Sequence, residues 1–537
     1  MTAELRVAVV AAGRVAEWGR RCIDGLRREA GVRVVGAVRP PQRVAAFRGP
    51  VGPARVGWGL VDGVSRRRSS ALRPADLGVA VADVGDVDDL GDVDVVVDLT
   101  GATGTEGARS PVRARHGWWR FAFGPEGTTA SGRVGLADIV EGRPTAELRL
   151  VAETADGRTS VLRRGTIRTV AHSWTRHRDG LLLHGVEWPA LACREILAGR
   201  TVAPADRPSP VVEDVRADGG SASLARVARR LLAAHAGRLA RALRETQWHV
   251  GVVGAPIETF LRPGELPPPA WLPGPPRGAF YADPFPSPDG RRVIVERFGL
   301  RDRVGTLEAI DQALDPASIV PTQPVAAPGH HISYPYVVPG AVDPEGRAYC
   351  TPETAELDEV GLYRLAGEPL RLEKVRTLVG GIAAVDPTVT FHGGRWWLFF
   401  TDGDRDADAD LHVWHADDLL GPWRPHPRNP VKVDVRSSRP AGTPFTCDGA
   451  LFRPAMDNSR SYGERIVINR VVTLTPEDFA ERVETAVPPF PGPFGRGIHT
   501  VAAAGPATTI VDGKRLRFVP SALPARIRAH LEGRPAG

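Results

Sequence analysis

Between Tyr281 and Pro520 the chain repeats one arrangement five times: an extended run, a tight turn, and a second extended run. The turns read Asp289-Gly290, Glu345-Gly346, Gly393-Gly394, Asp448-Gly449 and Asp512-Gly513, and the runs after them cover 291–298, 347–354, 395–402, 450–457 and 514–520. Acid–glycine and glycine–glycine pairs accept positive φ at little cost, so between two extended runs they mark hairpins. Before each turn a distinctive residue opens the first strand: Asp283, Tyr334, Asp386, Arg439 and His499, separated by 51, 52, 53 and 60 positions. A period near 50 with two strands legible per unit predicts a five-bladed β-propeller, whose first strands face a shared channel. Five unlike polar residues then converge on one pocket.

At 537 residues the chain exceeds one ordinary domain, and two or three are expected. The net charge of +6 comes from arginines spread along the chain, of which Arg66-Arg67-Arg68 is the longest cluster. No basic run interleaved with aromatics accompanies it, so no nucleic-acid partner is expected. Cys22, Cys193, Cys350 and Cys447 are widely scattered. That spacing fits neither a metal site nor a disulfide framework, and it fits a reducing compartment. No apolar run approaches 18 residues and no leader precedes the first strand, which predicts a cytoplasmic protein without a transmembrane segment.

The opening strand Leu5–Val10, a helix over 15–28 and the strand Val32–Val38 form a βαβ unit. A third buried strand over 93–99 ends at Thr100-Gly101, where doubly wound sheets place their crevice. Only Ala-Ala-Gly-Arg-Val-Ala follows the first strand, without the Gly-x-Gly-x-x-Gly spacing a dinucleotide requires, so no cofactor is expected. The acidic stretch 83–94 lacks the glycine and terminal Glu of a calcium loop and reads as a charged surface loop. Strands over 148–154 and 159–169 continue the domain. Residues 224–244 form an amphipathic helix with an arginine face. It reads as a packing element, and contact with a membrane surface is not expected. Seven prolines in 262–278 read as a linker. The expected domains are 1–222 (α/β), 223–278 (helix and Pro-rich linker), 279–522 (propeller) and 523–537 (C-terminal tail).

Several ordered motifs carry a resemblance: Phe280-Tyr281-Ala282-Asp283-Pro284-Phe285, Ser333-Tyr334-Pro335, Pro352-Glu353-Thr354 and Val385-Asp386-Pro387-Thr388. His426-Pro427-Arg428-Asn429-Pro430, Arg439-Pro440-Ala441-Gly442 and His499-Thr500 continue the series. With them the second half resembles the five-bladed propellers of glycoside hydrolase families 43 and 32. More closely, it resembles bacterial relatives of the N-terminal domain of plant glucosamine inositolphosphorylceramide transferase. Glu141-Gly142-Arg143-Pro144 and Arg168-Thr169-Val170-Ala171-His172-Ser173 make the first half similar to a Rossmann-like, formyltransferase-like domain. Formyltransferases carry an Asn-x-His element, where this chain reads Trp118-Trp119-Arg120-Phe121-Ala122-Phe123-Gly124. His116 and His172 are not evident substitutes and read as core or surface histidines.

Moving a glycosyl group takes one carboxyl to protonate the leaving oxygen and a second to activate water or attack the anomeric carbon. The resemblance implies Asp283 as base or nucleophile. Asp386 faces it across the channel, and Glu353, at the end of blade two's second strand, is the candidate acid. Tyr334, Arg439 and His499 are candidate substrate-binding residues. Glu296 and Asp457 sit like Glu353 and read as supporting or salt-bridged. Trp396, Trp397 and Trp423 read as packing between blades. The order departs from family 43, where the auxiliary Asp belongs to blade two and the acid to blade three. The expected activity is glycoside cleavage or glycosyl transfer on a charged or amino sugar, with a small molecule or oligosaccharide as partner. Two alternatives stay open: a non-catalytic carbohydrate-binding propeller, and formyl or acyl transfer by the first half.

Overall fold

A computed structural model of the chain describes residues 4–11, 15–38, 63–65, 67–75, 83–84, 92–100, 114–124, 133–200, 221–311, 322–326 and 328–519. Arg66, Gly101, most of the acidic stretch and the C-terminal tail 523–537 lie outside the described residues. The chain divides into two compact units, Met1–Arg238 and Leu239–Gly537.

The first unit is built on one seven-stranded sheet. Its spatial order is Asp83–Val84, Val32–Val38, Leu5–Val10, Val95–Asp98, Trp118–Phe123, Thr145–Glu153 and Thr159–Arg168. The first five strands pair in parallel and the last two add antiparallel. Apolar runs such as Val95-Val96-Val97, each fully buried, suit a sheet covered on both faces. The helix Glu17–Arg28 buries Trp18, Cys22, Ile23 and Leu26, the apolar face that its 3.6-residue period presents. Trp18 meets Phe121 edge-on at 5.6 Å.

The second unit is a five-bladed β-propeller of antiparallel sheets, four of them four-stranded and that of blade three five-stranded. Blade one comprises Ala279–Pro286, Arg292–Gly299, Gly305–Asp311 and Thr322–Ala326. Blade two comprises Ser333–Val342, Ala348–Glu353, Glu359–Ala366 and Arg371–Gly380. Blade three is Ala384–His392, Arg395–Asp402, Asp410–Ala416 and Arg424–Pro425, with Lys432–Val433 also paired to the third strand; blade four is Phe445–Cys447, Ala450–Asp457, Arg465–Leu474 and Phe479–Val487.

Blade five is composite. Its first two strands are Val501–Ala503 and Thr509–Phe518, and its outer two, Arg244–Val253 and Ala270–Trp271, precede blade one in sequence. Ten register pairs, from Arg244 with Phe518 to Val253 with Thr509, close the ring. The proline-rich stretch that reads as a linker is therefore blade material: Ala270–Trp271 pairs with Gly251 and Val252. Prolines mask this because they suit edge strands as well as linkers.

Four of the five expected turns link first and second strands: Asp289-Gly290, Glu345-Gly346, Gly393-Gly394 and Asp448-Gly449. The fifth does not. Asp512 and Gly513 lie inside the strand Thr509–Phe518, and the link falls at 504–508. Gly513 is small for a packing reason, since a Cβ there would lie 2.3 Å from Trp271 Cη2. Trp397 buries between blades three and four with Phe399 and Phe479, and Trp396 and Trp423 pack in the cluster that joins blades two and three.

A chain beginning at Ala279 lacks half of blade five and exposes Val511 and Ile510, both fully buried in the closed ring. Such a truncation is expected to lose cooperative thermal unfolding, whereas a chain beginning at Leu239 retains it; calorimetry on the two compares them directly.

Candidate functional site

Asp283, Tyr334 and Asp386 share a backbone signature. Their φ values are +47°, +43° and +52°, and each precedes a proline. Left-handed φ is unfavourable for a side chain with a Cβ, and a following proline disfavours helical geometry. Each position costs on the order of 1–3 kcal/mol, which the surrounding sheet must hold in place. The ladder slips at each: between Ala282 and Phe285, Ser333 and Tyr336, and Val385 and Thr388. The strand thus bulges at the same place in three successive blades, and the bulge takes the residue out of the regular alternation. The residues across the ladder from the one before each bulge residue are Glu296, Glu353 and Thr401.

The candidate residues come together in two linked groups. In the first, Thr500 Oγ1 donates to Asp283 Oδ1 at 2.7 Å, and His499 Nε2 lies 3.3 Å from the same oxygen. His499 Nδ1 is 2.6 Å from Asp512 Oδ2, with an approach too oblique for an aligned hydrogen bond, so charge attraction carries that contact. Asp512 Oδ1 accepts from the backbone N–H groups of His499 and Thr500 at 2.9 and 3.1 Å. The indole of Trp248 stacks on the His499 ring at 3.8 Å.

In the second group, Arg439 Nε donates to Asp386 Oδ2 at 2.6 Å. Its guanidinium also lies 3.5 Å from Asp408 and 4.9 Å above the Tyr462 ring. Glu353 Oε2 accepts from the Asp386 backbone N–H at 3.1 Å. Asp283, Glu353 and Asp386 are 5%, 9% and 2% exposed, which places them in one nearly dry centre.

Tyr334 plays a different part from the substrate contact expected of it. It is wholly buried; Gly442 N donates to its hydroxyl at 2.8 Å, and the hydroxyl shares a 2.9 Å bond with Thr388 Oγ1. Blade two is thereby tied to blades three and four. The aromatic ring fills the core rather than the channel, because its apolar surface gains most there. Asp457 pairs with Arg465 at 2.9 Å, the salt-bridged role expected of it.

Sequence reading missed Asp512, Trp248, Thr500 and Tyr462. Trp248 precedes Asp283 by 35 residues and reaches the site only through ring closure. Asp512 was hidden by its Asp-Gly turn signature. Of the four, only Thr500, next to His499, had a local signal.

Five carboxyls (Asp283, Glu296, Glu353, Asp386 and Asp512) face two cations, Arg439 and His499, with little water to screen them. Burial pushes Asp283 up to about 6; His499 opposes the rise, and Asp386 and Asp512 add to it. Burial pushes Asp386 up to about 7 against the pull of Arg439, with Glu353 adding to the rise. Burial also raises Glu353, opposed by Arg439. Glu296 is raised well above the usual range by burial and then by the charges of Asp283, Glu353, Asp386 and Asp512. On His499 burial works against charge, but Asp512 and Asp283 outweigh it and raise the imidazole. All of these shifts run upward, so the buried carboxyls give up their protons less readily than free ones, and Glu353 and Asp386, in contact, titrate together.

Asp283, His499 and Asp512 each offer one ligand atom, all within 4.8 Å of one another, a spacing that a cation would tolerate. Both ring nitrogens of His499 already face a carboxylate, a placement that favours the protonated imidazole.

Asp386 and Asp283 stand above the ordinary carboxylate value of 3.8, so the folded chain holds protons that the unfolded chain releases. Their contribution to stability is complete below about pH 4 and is lost as pH rises toward 7. His499 acts in the same direction, contributing fully below 6.5 and losing that as pH rises through its raised folded value. Asp386→Asn should therefore flatten the fall in melting temperature between pH 4 and 7 at fixed ionic strength. An unchanged slope would show that Asp386 is ionised throughout. Separately, Tyr334→Phe leaves the Gly442 N–H unpaired and should cost about 1–3 kcal/mol in urea unfolding, without touching the carboxyls.

Residues 324–488 match the family described as glucosamine inositolphosphorylceramide transferase 1, N-terminal. Glucosamine inositolphosphorylceramide transferase 1 of Arabidopsis thaliana is 29% identical over 214 residues, covering 38% of this chain and 27% of that protein. The protein of the same name from Oryza sativa subsp. japonica is 32% identical over 156 residues, covering 28% of this chain and 20% of its own. The chain thus spans about a quarter of these relatives' length. Among solved structures, a family 117 glycoside hydrolase of Zobellia galactanivorans aligns with a TM-score of 0.32 at 13% identity, over 47% of this chain and 90% of that one. An exo-β-1,3-galactanase of Clostridium thermocellum aligns with a TM-score of 0.29 at 11% identity, over 43% and 52%. Overlaps this low carry no argument about chemistry. The sequence kinship falls on blades one to four of the propeller, from the last strand of blade one to the end of blade four.

Proposed function

We infer that the propeller is a carbohydrate-active enzyme that cleaves or transfers a glycosyl group at the centre of its ring. The observation that carries this reading is the gathering of the buried carboxyls Asp283, Glu353 and Asp386 beside Arg439 and His499. Asp283 lies 3.3 Å from His499, Glu353 accepts from the Asp386 backbone N–H, and burial raises all three carboxyls. A base or nucleophile beside a protonated acid is what glycosyl chemistry requires. In this reading Asp283 attacks or activates, Glu353 protonates the leaving oxygen, and Arg439 holds Asp386. His499, held by Asp512, keeps Asp283 ionised. The excess of acid over cation favours a substrate bearing an amino group over one bearing a carboxylate. Arg439 already serves Asp386 and Asp408. The names of the sequence relatives, which include glucosamine, agree with that preference.

One observation favours a non-catalytic sugar-binding propeller instead: Asp283, Asp386 and Glu353 each have an internal partner, which a purely structural knot would also show. Formyl or acyl transfer by the first unit has less behind it. The Asp98 carboxyl at the sheet's end accepts from Thr100, and the buried His177–Asp138 contact at 3.5 Å joins two helices. His116 is lowered by burial and by Arg115. We read this unit as a formyltransferase-like scaffold without that chemistry.

Binding and turnover measured in parallel on aryl glycosides of neutral, amino and acidic sugars test the proposal. Asp283→Asn should cut turnover of an amino sugar by at least about 100-fold while leaving its binding within a few fold. Full turnover in that variant would end the enzymatic reading. Binding without turnover in the parent protein would favour the sugar-binding alternative.

A further inference from the structure

We propose that the helix Ser221–Ala242 docks the protein onto an anionic lipid surface. Over 22 residues it carries Arg226, Arg229, Arg230, Arg238 and Arg241 together with His235, and not one acidic residue. One side is accounted for by packing: Val227, with Leu224 and Leu231 against it, covers Leu136, Ile139 and Trp174. The other side is not. Leu232 is 71% exposed, beside exposed Ala225, Ala228, Ala233 and Ala236.

Three of the charges are similarly unclaimed. Arg230 donates to Val140 O at 3.1 Å and His235 Nδ1 bonds Leu231 O at 2.8 Å. Arg226, Arg229 and Arg238 are exposed and make no ion pair or hydrogen bond among the described residues. Arginines three and four apart on a helix repel one another by a few tenths of a kcal/mol, and solvated helices usually interleave acids that relieve this. Acidic headgroups would supply the missing counter-charge.

A packing helix with a solvated arginine face, the reading its sequence invites, explains Leu224, Val227 and Leu231 but not an outward Leu232. An exposed leucine and alanine strip flanked by arginines is the composition of a helix lying in a bilayer interface. Nucleic acid would use the same arginines but has no place for Leu232, and the helix has no Phe, Tyr or Trp to stack on a base. The docking is peripheral, since no helix among the described residues is long and apolar enough to cross a membrane.

The test is flotation of the full chain with phosphatidylcholine vesicles, alone or containing phosphatidylserine. Uptake should require phosphatidylserine and weaken as salt rises. Each arginine near an anionic surface contributes roughly a fivefold factor in affinity. The triple variant Arg226→Gln, Arg229→Gln, Arg238→Gln should therefore bind about 100-fold more weakly, with a melting curve that matches the parent. The corresponding triple Lys variant should bind like the parent, and Leu232→Ser should weaken uptake without altering the melt. Equal uptake by both kinds of vesicle, parent-like uptake by the Gln variant, or retention by a DNA duplex but not by phosphatidylserine vesicles would overturn the proposal.

Discussion

Five acidic side chains and two cations share the centre of the propeller, out of reach of bulk water. An isolated charge moved there would cost several kcal/mol, so the group can exist only if its charges are paired or its protons retained. Both solutions are in use. Arg439 and His499 each face an aspartate, and burial raises Glu296 and Glu353, which have no such ion pair with them, above the usual carboxylate range. The same pressure that makes the centre expensive also divides acid from base.

Holding that centre together falls to the ring. Three pre-proline bulges set Asp283, Tyr334 and Asp386 in strained backbone, and the strain persists because the flanking ladders leave no cheaper alternative. Tyr334 has become a strut that joins three blades, while Asp283 and Asp386 face Thr500 and Arg439 at the centre. Blade five completes the enclosure with a strand drawn from before blade one. Trp248 on that strand stacks on His499, so closing the ring and fixing the site are one event.

Much of this was legible in the chain. Short-range signals carried the blade count and four of the hairpins, because glycine and acid–glycine turns act through local φ preferences. Asp283, Asp386, Arg439 and His499 were found through their spacing, and Glu353 through its strand end. Asp512 shows where that logic fails. Its Asp-Gly pair obeys the turn rule, but the aspartate binds His499 and the glycine makes room for Trp271, and both demands are non-local. The prolines before Ala279 misled for a related reason, since an outer strand and a linker impose the same backbone requirement.

The sequence by itself determined the periodic architecture and the identity of the polar residues that open each sector, since both follow from local backbone chemistry repeated at a fixed interval. Tertiary structure alone decided which of those residues reach the centre as charges and which become core, because that depends on neighbours brought in from other blades. It also decided where the ring closes and which groups keep their protons, as burial and partner charge exist only once the chain has folded.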